Sequence, residues 1–349
     1  VNVSAPGVKV SAVNPDLRLE SSIQTTSSWN ITLTNTALLG TNASLSAGAP
    51  SRMSDGFAPG WYVGLTLANF SLDGRGEDYV TVTAVHQARP EPGSYLIPLT
   101  GLDVDNGVSY PYNLTLTVPP LPEAQFTLDY SVVPVHPLNS TTFQFTLTND
   151  GNGPIGYDLF LESPTGWSAG FDNLGSEPGA SSGSTGLMDK QAARAINITV
   201  VPPSVKTVAG AERTVTIIAI SQTDPPVSTS LDVPMQVMSI RDVGISLDSN
   251  LPTLRPDATV GLFLSLENRG NVDLDLTPSF QLPSGWSVST ALEPISLGWT
   301  DTVDVVYTLV GDGSGQSGTL EIRLSDAQGR FTWTAPLEVR QLPDPTLDF

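Results

Sequence analysis

Three of the four Gly-Trp pairs, Gly60-Trp61, Gly166-Trp167 and Gly285-Trp286, each stand between two stretches in which apolar and polar residues alternate. The steps between the tryptophans are 106 and 119 residues, too long for a solenoid repeat and right for small domains in tandem. In the second and third copies an asparagine closes the preceding stretch eighteen residues before the tryptophan, Asn149 before Trp167 and Asn268 before Trp286. In the first copy Asn35 precedes Trp61 by twenty-six, so that copy carries an insertion of eight residues. The expected division is 1–120, with the insertion, 121–238 and 239–341, followed by a tail over 342–349.

Alternation with a period of two is the signature of a strand with one face buried and one face wet. It recurs at matching places in each copy. The opening strands read Val8, Val10, Ala12; Phe126, Leu128, Tyr130; and Val243, Ile245, Leu247. The next strands read Trp29, Ile31, Leu33; Phe143, Phe145, Leu147; and Leu262, Leu264, Leu266. A later one reads Val80, Val82, Ala84; Ile196, Ile198, Val200; and Val303, Val305, Tyr307. Helical periodicity is close to absent, and 31 Gly with 29 Pro break the runs at short intervals, which is turn chemistry. About seven short antiparallel strands per copy predict an all-β chain of three tandem immunoglobulin-like β-sandwich domains. A closed barrel fits less well, because long loops interrupt the alternation. The proline-rich stretch 118–125 predicts a stiff spacer, and the shorter stretch 238–242 predicts end-to-end packing of the second and third copies.

Composition narrows the setting. Thirty-five acidic residues against fifteen basic ones give a formal charge of −20, a field that repels nucleic-acid phosphate and anionic lipid. The acids are scattered, as a solvated surface has them. Without cysteine there is no disulfide framework, no thiolate metal site and no cysteine nucleophile. No apolar stretch approaches a membrane span, and the Ser/Thr-rich, weakly charged balance is that of a secreted β protein. The missing initiator methionine leads to the expectation of a processed or excised chain.

The strand ending Leu147-Thr148-Asn149-Asp150-Gly151-Asn152-Gly153-Pro154, or Leu266-Glu267-Asn268-Arg269-Gly270-Asn271-Val272, is followed by Pro-x-Gly-Trp. This pattern resembles the immunoglobulin-like modules found beside α-galactosidase-type catalytic domains, and the cell-adhesion-related modules of bacteria and archaea. The resemblance implies a long secreted or surface-anchored protein. The first copy departs from it, with Asn35-Thr36-Ala37 and then the insertion.

Four groups of residues are candidates for function. Trp61, Trp167 and Trp286 are expected to fold back over the sandwich edge from a turn whose glycine takes a positive φ, with an aromatic platform for sugar as the lesser reading. Asp103, Asp105 and Asn106, before Gly107, resemble the start of a calcium loop and also an ordinary Asn-Gly hairpin turn. Seven N-glycosylation sequons stand at Asn2, Asn30, Asn42, Asn69, Asn113, Asn139 and Asn197, and none follows residue 200. Finally, Pro345, Thr346, Leu347, Asp348 and Phe349 repeat the pattern of a linker and opening strand, and Val1 and Val3 lead the first one. Both ends are candidates for β-strand addition to a neighbouring subunit.

No catalytic constellation recurs: His86 and His136 lie in different copies, and three small sandwiches offer no obvious cleft for a carboxylate pair. The expectation is a non-enzymatic extracellular or cell-surface protein with a structural or adhesive role, in sharper form a head-to-tail filament or surface-layer subunit. Its partners would be further copies or other surface proteins, with glycans as a further class; it needs no cofactor, calcium being the one candidate. The alternative is a set of accessory or carbohydrate-binding modules of a secreted glycan-acting protein.

Overall fold

The computed structural model describes residues 7–19, 26–174, 177–247, 253–254, 259–312, 317–327, 329 and 332–341. These form an all-β chain of three tandem β-sandwiches, with separate cores spanning Val8–Val118, Val133–Val237 and Val243–Val339. No helix among the described residues is long and apolar enough to cross a membrane.

Each sandwich is built on one plan. In the second module a four-stranded sheet runs Ala124–Leu128, Thr141–Asn149, Ala193–Val201, Ser168–Phe171. It faces a five-stranded sheet ordered Val133–Val135, Ser228–Val237, Glu212–Ser221, Ile155–Glu162, Ser182–Met188. The third module repeats this order, and the first adds a short strand, Ser51–Arg52, from its insertion. Register repeats too: Val8, Ala124 and Val243 stand opposite Asn35, Asn149 and Asn268. The alternating apolar sets point inward because a period of two puts every second side chain on one face, and burying a large apolar side chain contributes roughly 1.5–3 kcal/mol.

Two expectations need correction. The modules hold ten, nine and nine strands among the described residues, where about seven per copy were expected, and one pairing in each is parallel. The opening strand stops, crosses to the other sheet and pairs there in parallel with the closing strand, as Val133–Val135 does with Ser228–Val237. Two- and three-residue strands carry almost no periodic signal. The same crossing explains Tyr130, expected inside and 51 % exposed: the first strand ends at Leu128, before the tyrosine.

Trp61, Trp167 and Trp286 lie in the three cores at 8, 7 and 7 % exposed. The preceding glycines have φ of 80°, 80° and 81°, left-handed backbone that glycine adopts without steric cost. Trp61 packs edge-on against His86 and tilted against Tyr95.

Candidate functional site

The loop that follows Asn35, Asn149 and Asn268 takes one conformation in all three modules. The side-chain Oδ1 accepts the backbone N–H two residues on, from Ala37 at 2.9 Å, Gly151 at 3.1 Å and Gly270 at 3.0 Å. Nδ2 donates to the carbonyl four residues on, at Leu39, Gly153 and Val272, each 2.8 or 2.9 Å. It also reaches carbonyls of the facing loop, at Asp73, Met188 and Leu297. These three asparagines are buried, and a buried amide is tolerated because its hydrogen-bonding groups are satisfied. In the second module Tyr157 adds its hydroxyl, donating to Asn149 Oδ1 and to the Glu123 carbonyl, and burial pushes its phenol up to about 12.

The tip of this loop is where modules meet. Asn152, fully buried, accepts the N–H of linker residue Leu121 at 2.7 Å and donates to the carbonyls of Pro119 in the linker and Pro90 in the first module, at 3.0 and 3.1 Å. Asn271 does the same one junction later: it accepts the N–H of Ile240 at 2.8 Å and donates to Met238 at 2.9 Å and to Thr207 of the second module at 3.0 Å. A basic residue from the preceding module completes each joint. Arg89 Nη1 donates to the Asp150 carbonyl and to Glu123, at 2.8 and 2.7 Å; Lys206 Nζ donates to the Asn268 carbonyl at 2.8 Å. Glycine in the Asn-x-Gly-Asn pattern is required by close approach of the linker: a Cβ on Gly151 would stand 2.8 Å from the Leu121 carbonyl oxygen, and one on Gly270 2.2 Å from that of Ile240. The first module has Leu38 at the clamp position and Leu39 after it, and leaves both side chains in solvent, 75 and 80 % exposed.

The other candidates fall as follows. A sugar platform needs an open ring face, and the three repeated tryptophans, enclosed in their cores, present none. Asp103 is buried; burial alone would raise its pKa, but hydrogen bonds from Asn106 and Thr41 together hold it below the usual carboxylate range. Asp105 is lowered by the Asn42 backbone N–H and side chain. The turn is thus closed by its own donors, and among the described residues no group of three or more His, Asp or Glu could hold a metal. Of the sequon asparagines, Asn30, Asn42, Asn69, Asn113 and Asn139 are exposed and Asn197 is half-buried, its Oδ1 accepting from Gln144. Asn2, Val1, Val3, Pro345, Thr346, Leu347, Asp348 and Phe349 lie outside the described residues. His86 and His136 belong to separate modules and are engaged by neighbouring backbone groups. In the sequence Asn149 and Asn268 mark strand ends, while the clamp made by Asn152 and Asn271 shows only as the second asparagine of Asn-x-Gly-Asn, present in two copies and absent from the first.

No protein-family profile matches the sequence, and no curated protein matches it. Among solved structures the chain is similar to the protocadherin gammaB7 EC3-6 cis-dimer, at 13 % identity over 97 % of this chain and 77 % of that one, with a TM-score of 0.40. It is similar to the ICAM-5 D1-D4 ectodomain fragment at 10 % identity, again over 97 and 77 %, with a TM-score of 0.40. It is also similar to Dpr2 Ig1-Ig2 in complex with DIP-Theta Ig1-Ig3 at 9 % identity, over 96 and 99 %, with a TM-score of 0.29. The architecture described above rests on the chain's own strand pairing and cores.

Proposed function

We propose that this chain is a non-enzymatic structural or adhesive protein of a microbial cell surface, an array whose modules are held at set angles. The observation that carries this reading is the repeated joint: Asn152 and Asn271 are each buried between a linker and the preceding module with the same set of partners. Two successive joints built alike convert three small domains into one spacer. Exposed sequons on the first two modules and the charge of −20 suit a glycosylated, hydrated exterior.

In its sharper form the array assembles head to tail, with Val1 and Val3 or the segment from Pro345 to Phe349 adding a strand to a neighbour's sheet edge. Electron microscopy of the full chain beside one ending at Arg340 tests this. Filaments from the full chain alone support the assembly; short monomeric particles from both leave a spacer and overturn strand addition through the tail.

A further inference from the structure

The insertion in the first module does something the other copies do not. Together with the loop after Glu77–His86 and the turn at Lys190 of the second module, it walls a cavity of about 280 Å³ beside the first joint. Its lining includes Phe57, His86, Gln87, Arg89, Glu91 and Lys190.

The Phe57 ring is 65 % exposed, yet its backbone is braced. The Phe57 N–H donates to Asp55 Oδ1 at 3.0 Å, and Asp55 is held by Arg52, which also bonds Glu91 at 2.6 Å. Hydrogen bonding from Arg52 lowers the Asp55 pKa, so the brace stays ionised. An exposed ring carried on a braced backbone offers an apolar platform at the cleft.

The polar groups around it have donors to spare. Lys190, one of three lysines in the chain, has no ion pair or hydrogen bond among the described residues. Arg89 uses only Nη1, for Glu123 and the Asp150 carbonyl, so Nε and Nη2 remain. Of the nearby acids, Glu91 shares Arg52 with Asp55, and Glu123 is paired with Arg89. Spare donors lining the same cleft as an exposed aromatic ring suit a ligand with a flat apolar face and an anionic group. The second joint lacks these features, since residues 163–167 there run Ser-Pro-Thr-Gly-Trp with no counterpart of Phe57.

We infer that the cleft at the first joint is a binding site for an acidic sugar, a hexuronic acid unit of a glycan, with its ring on Phe57 and its carboxylate between Lys190 and Arg89. This reading is independent of head-to-tail assembly, and its test leaves that question untouched.

Titration of the intact chain with an α-1,4-linked galacturonate trimer, against maltotriose as the neutral control, decides it. The expected result is saturable uronate binding that weakens with salt, with Phe57→Ala and Lys190→Ala each costing about tenfold or more in affinity. Lys190→Ala removes an exposed side chain outside the core, so unchanged thermal unfolding of that variant separates lost binding from lost folding. Absence of binding up to ~10 mM trimer, equal binding of maltotriose, or undiminished uronate binding in both variants would each overturn the assignment.

Discussion

The leading loop of the first module and those of the second and third share a backbone and differ at the tip. All three are shaped by one buried asparagine, with the same bond to the residue two on and the same bond to the carbonyl four on. Two of the tips then carry an asparagine sealed into a joint, whereas the first carries Leu38 and Leu39 in water. The contrast separates two jobs that the sequence pattern runs together. The first asparagine makes the loop, and the second makes the neighbour.

The largest effect should come from breaking what the loops share. Asn149→Ala strands several buried carbonyls and a tyrosine hydroxyl, and should cost the second module about 3 kcal/mol, with Asn35→Ala and Asn268→Ala costing a similar amount in theirs. Hydrogen exchange resolved by module would show whether each loss stays local. Breaking what differs comes next. Asn152→Ala should cost about 1–2 kcal/mol and loosen the angle between the first two modules while both cores stay folded, a change visible in residual dipolar couplings.

A smaller effect is expected in alkali. Burial raises the Tyr157 phenol from its ordinary value of 10 to about 12, so its contribution is complete below pH 10 and is lost as pH rises through 12. Tyr157→Phe should flatten that part of the denaturation profile and leave the parts due to Tyr95 and Tyr307, which burial also raises. Smallest of all, Leu38→Asn should change the first module's stability by less than about 0.5 kcal/mol, because the side chain it removes is already in solvent. A large loss there would mean that Leu38 is covered.

Most of the fold was legible because sandwich strands write their burial into the sequence every second residue, and Trp29, Phe145 and Leu264 lie inside as their alternation requires. The Gly-Trp turns were legible for another reason: one backbone conformation needs glycine, and one large ring needs cover. What escaped was non-periodic or non-local. The parallel strand Val133–Val135 is too short to show a period. Asn152 finds Pro90 across 62 residues, a pairing that no local pattern announces. The cleft beside Phe57 escaped likewise, since it forms only when an insertion in one module meets a turn of the next.

Small-angle X-ray scattering of the intact chain beside the double variant Asn152→Ala/Asn271→Ala tests the central claim, that the buried asparagines fix the modules relative to one another. The account predicts that one set of inter-module angles fits the parent curve and that the variant needs a broadened ensemble with unchanged β-sheet circular dichroism. A parent chain that already scatters as a flexible ensemble, indistinguishable from the variant, would contradict it.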